Sequence, residues 1–305
     1  MNTITVSEIA RGVFQNQLQA MRANLDGCIA GQDPIYLHDM RVANRRVRAA
    51  LIEFKALFPD DSINRYQDEF QWIHQVTTKV RDLDVNLQHY AGYKSQIPKE
   101  WRPFLEPLRE LILDKRKSAQ EVLIQDLRSA RMTAILIDPK NNLIDDMLLS
   151  SALSLESAKE YGCRRIIKRY KQVRKKGGKL TKKTPADDFH NYRITVKKLR
   201  YMMEFFQQVL DDDGYIVLRR GLKNVQDAFG AFQDAKVQAN QLRNFADELF
   251  LTGASVNTLL SIGQLLFSVD KKGRQSKKAC LKQVNWILDD ATARAFQTCF
   301  QYPVE

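Results

Sequence analysis

The sequence predicts an all-α fold, and three observations carry that expectation. Gly and Pro number 13 and 8 in 305 residues, about 7% against a usual ~12%, so turns are few and helices long. Apolar residues recur at helical spacing along most of the chain, and no stretch alternates with period two long enough to make a strand. Helix-start signals punctuate the chain at Thr5-x-x-Glu8, Asp33-Pro34 and Thr184-Pro185.

Taken in order, the Thr5/Glu8 capping box opens a helix to about Ala30. Asp33 and Pro34 start a second that ends near Phe58-Pro59. Asp61 or Ser62 caps a third running to about Tyr93, roughly 45 Å long at the helical rise. The Pro98–Pro107 stretch breaks the pattern, and another helix runs to about Arg131. Asp138-Pro139-Lys140-Asn141-Asn142 is the best linker candidate. Beyond it, a helix from about Leu143 to Lys176 ends at Gly177-Gly178. The Thr184-Pro185 helix runs to about Leu210, where Asp211-Asp212-Asp213-Gly214 turns the chain. A long helix to about Phe250 and helices near 255–269 and 275–298 complete it.

The net charge is +12 and the pI near 9.5, which points to an anionic partner. Hydrophobic content of 44% excludes a disordered chain. Cys28, Cys163, Cys280 and Cys299 form no Cys-x-x-Cys pair, so neither a zinc site nor a disulfide framework is expected. The N-terminal MNTITVSEIARG lacks a basic stretch followed by an apolar one, and the chain reads as cytoplasmic. Leu249–Val269 is uncharged over 21 residues, but its apolar residues follow a core-facing helical stripe broken by Asn257, Gln264 and several Ser and Thr. It reads as a buried helix, so no membrane partner is expected.

The most informative feature is internal. Residues 37–54, LHDMRVANRRVRAALIEF, align with residues 189–206, FHNYRITVKKLRYMMEFF. His38/His190, Arg41/Arg193, Arg48/Arg200 and Phe54/Phe206 are identical, and six further pairs are similar. The 152-residue offset also places Asp82 on Asp234 without a gap. The chain therefore reads as two copies of one helical unit, about 1–142 and 143–305.

On a helix, His38, Arg41, Arg45 and Arg48 fall in a stripe about 80° wide. His190, Arg193, Lys197 and Arg200 repeat it. Like charges stacked at i, i+3 and i+4 repel, and an ordinary solvated face mixes in acids. Val42, Val47 and Leu51, and Ile194, Leu199 and Met203, supply the expected buried sides. Arginine forks bind phosphate oxygens in pairs, and imidazole donates from either protonation state. The two stripes are thus the expected anion-binding residues. Arg46, Lys79, Arg81 and Lys198 are secondary basic contacts, and Asp82 and Asp234 hold the cations in place from behind. Replacing Arg41, Arg45 and Arg48 is expected to weaken binding with little loss of fold. A histidine at each stripe's head implies affinity that falls as pH rises from about 6 to 8. A second basic run, Arg164–Lys183, holds eleven Lys or Arg and no acid; it reads as a solvated helix end or an electrostatic funnel. Asp270–Lys282 carries a smaller one.

No GxxxxGK[ST], GxGxxG, HExxH or Glu-x-x-His motif occurs, so no catalytic residue, metal site or cofactor is expected and the chain reads as a non-enzyme. His74 and His89 face Gln226 and Gln241 across the repeat and read as structural. The alternatives are a nucleic-acid-binding helical protein, which lacks a repeated aromatic platform here, and a phosphotransfer or phosphohydrolase enzyme, which lacks a means to activate a nucleophile.

The segments LHDMRVANRRVRAALIEF, KVRDLDV, FHNYRITVKKLRYMMEFF and LKNVQDAFGAFQDAKV together resemble the CHAD family, the conserved histidine α-helical domain. The likeness spans nearly the whole chain. It implies a single domain over 1–305, built as two pseudo-symmetric bundles of long helical hairpins around a basic central channel. It also implies binding of inorganic polyphosphate and placement at polyphosphate granules. Many family members carry an N-terminal CYTH domain with an ExExK motif; none occurs here, so the expectation is a stand-alone CHAD protein. The second Asp motif reads FQDAK where the first reads VRDLD, a departure that leaves open whether both halves contribute equally.

Overall fold

The computed structural model describes residues 3–136, 143–147, 152–210 and 213–301. Among them there is no strand, only an isolated bridge between Thr5 and Ser157. The expected linker at 138–142 lies outside the described residues, as do Asp211 and Asp212 of the expected turn. The helices are α1 (Val6–Ala30), α2 (Pro34–Glu53), α3 (Asp60–Val76), α4 (Thr78–Ser95), α5 (Glu106–Leu127), α6 (Ala130–Leu136), α7 (Ala152–Leu155), α8 (Ala158–Gly177), α9 (Ala186–Phe205), α10 (Gln207–Leu210), α11 (Asp213–Leu251), α12 (Val256–Leu288) and α13 (Asp290–Phe300). They divide between two compact units. One comprises Arg11–Leu148 and Gln238–Ser268, the other Met1–Ala10, Leu149–Val237 and Val269–Glu305.

Helix starts follow local chemistry. The Thr5/Glu8 capping box is formed: Thr5 N donates to Glu8 Oε2 at 2.7 Å, and Glu8 N to Thr5 Oγ1 at 3.3 Å. The Asp33 carboxylate accepts from Ile35 N at 2.9 Å ahead of Pro34. Ser157 caps α8 by accepting from Glu160 N. Val6 N donates to Glu156 O at 3.0 Å and Ala158 N to Ile4 O at 2.9 Å, so the starts of α1 and α8 pair reciprocally. Those two starts lie 152 residues apart in sequence, and so do both ends of α2 and α9.

Several boundaries differ from the sequence expectation. α2 stops at Glu53 and tightens into a 3-10 turn over Lys55–Leu57. That turn places Phe54, Leu57 and Phe58 all in the core. The helix expected over 61–93 is two, α3 and α4, divided at Thr77. Ser129 ends α5 early: its hydroxyl donates to Asp126 O and accepts from Met132 N. α8 begins at Ala158 rather than near Leu143, because the cap is Ser157. Pro185, not Thr184, is the cap position of α9; Thr184 Oγ1 instead accepts from Thr181 N. α9 and α10 replace one helix to Leu210. The two helices expected over 255–298 break at Asp289, whose carboxylate caps Ala291 N and Thr292 N, and not near residue 270. No described helix is long and apolar enough to cross a membrane.

In the Arg11–Leu148 unit, α2 packs on α3 and α4 on α5. Phe14 meets Phe54 and Phe58 edge-on at 6.3 and 5.7 Å. Full burial of each such ring contributes about 2–3 kcal/mol. Asp84 is buried and pairs with Arg116 at 2.8 Å, which also donates to Gly31 O. In the other unit, α8 packs on α9 and α13 on α8. Tyr170 stacks on Phe296 at 3.9 Å and donates to Ile287 O. The α11 backbone comes so close to Trp286 on α12 that a β-carbon on Gly221 would lie 2.1 Å from the indole. Gly221→Ala is therefore expected to destabilise by about 1–3 kcal/mol, because a packed ring has no room to give. Thermal denaturation measures this; a variant as stable as the native chain contradicts the contact.

Candidate functional site

The two basic stripes sit on α2 and α9, one in each unit.

On α2, the inward face buries Leu37, Met40, Ala43, Val47 and Leu51, while Val42 is only half-buried. This turns His38, Arg41, Arg45 and Arg48 away from the core, each keeping partial exposure. They are not equivalent. Arg41 Nη1 donates to His74 O at 3.0 Å, Thr77 Oγ1 at 2.6 Å and Thr78 Oγ1 at 3.1 Å. Thr77 Oγ1 in turn donates to Ile73 O. A threonine bonding back to its own preceding turn bends a helix, and the His74 carbonyl at the bend accepts from Arg41 together with the Thr77 and Thr78 hydroxyls. Arg41 is thus a clamp on the α3–α4 break. Its removal is therefore expected to cost the fold more than removal of Arg45.

Arg48 donates to Gln71 Oε1. Arg45 makes no hydrogen bond or ion pair among the described residues, and its Nε is buried without a partner. The charges are close enough to act on one another. Burial and then Arg45, Arg81 and Arg48 bring Arg41 down to about 10, with Asp82 opposing. Burial and then Arg81, Arg45 and Arg41 lower His38, Asp39 opposing. Arg81, on α4, is lowered by burial and Arg45 against Asp84 and Asp82. Asp82 acts on Arg41 and Arg81; its carboxyl is held above the ordinary range by partial loss of hydration, with those two arginines opposing. Lys79 is exposed and Arg46 half-buried.

His74 is the residue that sequence reasoning missed. It belongs to this cluster rather than to the core. Burial, then Arg41, Arg48 and Arg45, bring it down to about 4, and its Nδ1 is buried without a partner. It is therefore neutral at pH 7, an imidazole held among three guanidinium groups. Its signal was present: His74, Thr78 and Arg81 share one helical face at i, i+4 and i+7.

On α9, Phe189, Tyr192, Val196, Leu199 and Met203 are buried, whereas Ile194, expected inside, is exposed at 37%. Its place on the stripe side of the helix explains this. His190, Arg193, Lys197 and Arg200 each keep partial exposure. His190 Nδ1 is buried without a hydrogen bond, and the ring lies near Asp187, which pairs with Lys236 at 2.8 Å. Arg193 passes close to Gly230 on α11. Arg200 pairs with Glu204 at 3.1 Å and lies over the Tyr201 ring, so this row carries a carboxylate where the α2 row has Ile52. Lys198 is exposed. Asp234 is exposed, as Asp82 is; neither carboxylate makes a hydrogen bond or ion pair among the described residues, but Asp82 is near enough to Arg41 and Arg81 to act on them. Gln233 precedes Asp234, where Arg81 precedes Asp82.

No group of three His, Cys, Asp or Glu among the described residues could hold a metal ion. What the α2 cluster offers is cationic donors in excess: Arg45 uncommitted, Arg48 and Arg81 half-buried, with Asp82, Asp84 and Asp39 as opposing charges. Such a surface gains most from a ligand with several closely spaced anionic oxygens.

Comparison with known proteins agrees with this architecture. The chain superimposes on the crystal structure of the CHAD domain from the plant Ricinus communis with a TM-score of 0.76, at 24% identity, over 93% of this chain and 92% of that one. It superimposes on PptA from Streptomyces chartreusis with a TM-score of 0.69, at 15% identity, over 92% and 99%. At these identities the likeness concerns the fold. No curated protein matches. The sequence model of the CHAD domain matches residues 12–243, about three quarters of the chain and both His–Arg helices, and the chain belongs to the CHAD domain family.

Proposed function

We propose that this protein binds inorganic polyphosphate through the basic rows of α2 and α9, without catalysing its turnover, and that it resides in the cytoplasm at polyphosphate granules. CHAD domains have polyphosphate-related roles in general. The observation that carries the reading is Arg45, an unpaired guanidinium surrounded by Arg41, Arg48, Arg81 and two histidines. Bringing these cations together is unfavourable in the free protein. A linear chain of phosphates offsets that repulsion by placing anionic oxygens against several donors at once. Base recognition needs stacking groups beside the charge, and the aromatics near the rows do not repeat: Asp188 stands where Tyr36 stands on α2, and Ala49 where Tyr201 stands on α9.

The test is competition. Polyphosphate is expected to displace DNA and RNA of matched charge at low micromolar concentration or below, and nucleic acid to fail in the reverse direction. Equal competition by duplex DNA, or release of orthophosphate from the bound chain, overturns the proposal.

A further inference from the structure

The basic run Arg164–Lys183 takes no part in either row. It covers α8 and the turn after it. Ile166, Tyr170, Val173 and Gly177 are the buried side of α8, and Lys168, Lys171 and Lys175 line the opposite, exposed side. Lys179, Lys182 and Lys183 continue the exposed charge past the helix end. None of these six lysines makes a side-chain hydrogen bond or ion pair among the described residues. The other cations of the run are engaged: Arg164 pairs with Glu156 at 2.6 Å, Arg174 with Asp290 at 2.7 Å, and Lys176 donates to Thr195. Thr195 lies on the far side of α9 from His190 and Lys197, so the lysine face is separate from the α9 row. It is extended from α12, where Lys277 donates to Thr184 O beside Lys182 and Lys183.

An ordinary solvated helix end does not account for this. Cations in the last turn complement the helix dipole, which covers Lys175 but not Lys168 or Lys171. The equivalent helix supplies a control. α1 and α8 start 152 residues apart, and α1 places Asn16, Gln19 and Ala23 where α8 has Lys168, Lys171 and Lys175. Those three are exposed as well. Over residues 12–31 the only charges are Arg22 and Asp26; over 164–183 there are eleven cations and no acid. The same helical position is thus neutral in one copy and strongly basic in the other, so solvation of the position does not require the charge.

We propose that this lysine face is a second polyphosphate-contact surface, one that captures long chains by charge alone while the arginine rows retain them. The proposal rests on the polyphosphate reading above. The chemistry favours that occupant. The face carries hydrated point charges without forks for bidentate contact. It presents no exposed aromatic for stacking on a base and no apolar side chain for entering a bilayer. It can read only charge density, and its effect belongs to encounter rate and salt dependence.

The test compares two triple variants of the full chain: Lys168→Gln with Lys171→Gln and Lys175→Gln, and Lys99→Gln with Lys117→Gln and Arg128→Gln. Both remove three exposed charges, the second from outside the face. Association and dissociation rates are measured with polyphosphate of about ten and of several hundred phosphates, over a range of salt. The α8 variant is expected to slow association of the long chain about tenfold at low salt and to flatten its salt slope by about 2. Dissociation and short-chain affinity are expected to stay within about twofold, and the control to change neither. If native protein binds neither length, the polyphosphate reading fails and this proposal with it. If native protein binds both and the two triple variants behave alike, only the lysine face is overturned. A duplex DNA of matched charge that loads through the same lysines as fast as polyphosphate overturns the choice of ligand.

Discussion

Arg45→Ala is expected to lower polyphosphate affinity about tenfold to a hundredfold while leaving the fold intact, and Arg41→Ala is expected to damage the fold first. Arg45 has no partner in the free protein, so its removal deletes charge-assisted hydrogen bonds that exist only with ligand, worth about 1.5–3 kcal/mol. It also relieves repulsion with Arg41 and Arg81, so thermal stability should hold or rise slightly. Arg41 differs because its guanidinium donates to His74 O, Thr77 Oγ1 and Thr78 Oγ1. Its loss uncovers the helix break and should cost about 1–3 kcal/mol, a fall in melting temperature on the order of 5 °C. Calorimetric titration with parallel thermal melts separates the two. Equal losses of affinity at unchanged melting temperature in both variants contradict this division; unchanged affinity in Arg45→Ala removes the α2 row from the site.

Polyphosphate affinity is expected to fall as pH rises, from below pH 6 to about 8. In the free protein His38 titrates below its ordinary value, through burial and then Arg81, Arg45 and Arg41, and His74 titrates at about 4. A bound polyanion raises both. Between the free and bound values the complex holds more protons than its parts, so binding takes up protons and weakens with rising pH. One full proton corresponds to at most about tenfold per pH unit. The lowered resting values extend the window below the pH 6 at which an ordinary histidine would begin. Long chains are the appropriate probe, since terminal phosphates titrate near about pH 6 themselves. His38→Gln should remove slope nearer neutrality, and His74→Gln the slope at lower pH. A double variant that keeps the native slope assigns the effect elsewhere.

Much of this molecule was legible in its sequence, because much of it rests on short-range rules. The capping box at Thr5 and the N-cap at Asp33 use side chains within three residues of the groups they satisfy. The stripe of His38, Arg41, Arg45 and Arg48 follows from helical periodicity once α2 exists. The 152-residue spacing that aligns His38 with His190 is likewise a property of the string, and it reappears in the limits of α2 and α9.

What the tertiary structure decided depends on partners far along the chain. Helical pattern runs unbroken through Thr77; the division there is stabilised by Arg41, 36 residues away. For the same reason Arg41 and Arg45, alike in sequence, differ in role, since only Arg41 lies against a freed carbonyl. His74 read as structural because the repeat places Gln226 opposite it, yet the packing of α3 on α2 sets it among three arginines. The sequence predicts two helices over 255–298 with a gap near residue 270, but α12 continues through it and the stop signal is Asp289. Local propensity fixes where helices can form and which faces they own; burial and the pairing of distant polar groups decide where they break and which cations stay free for a ligand.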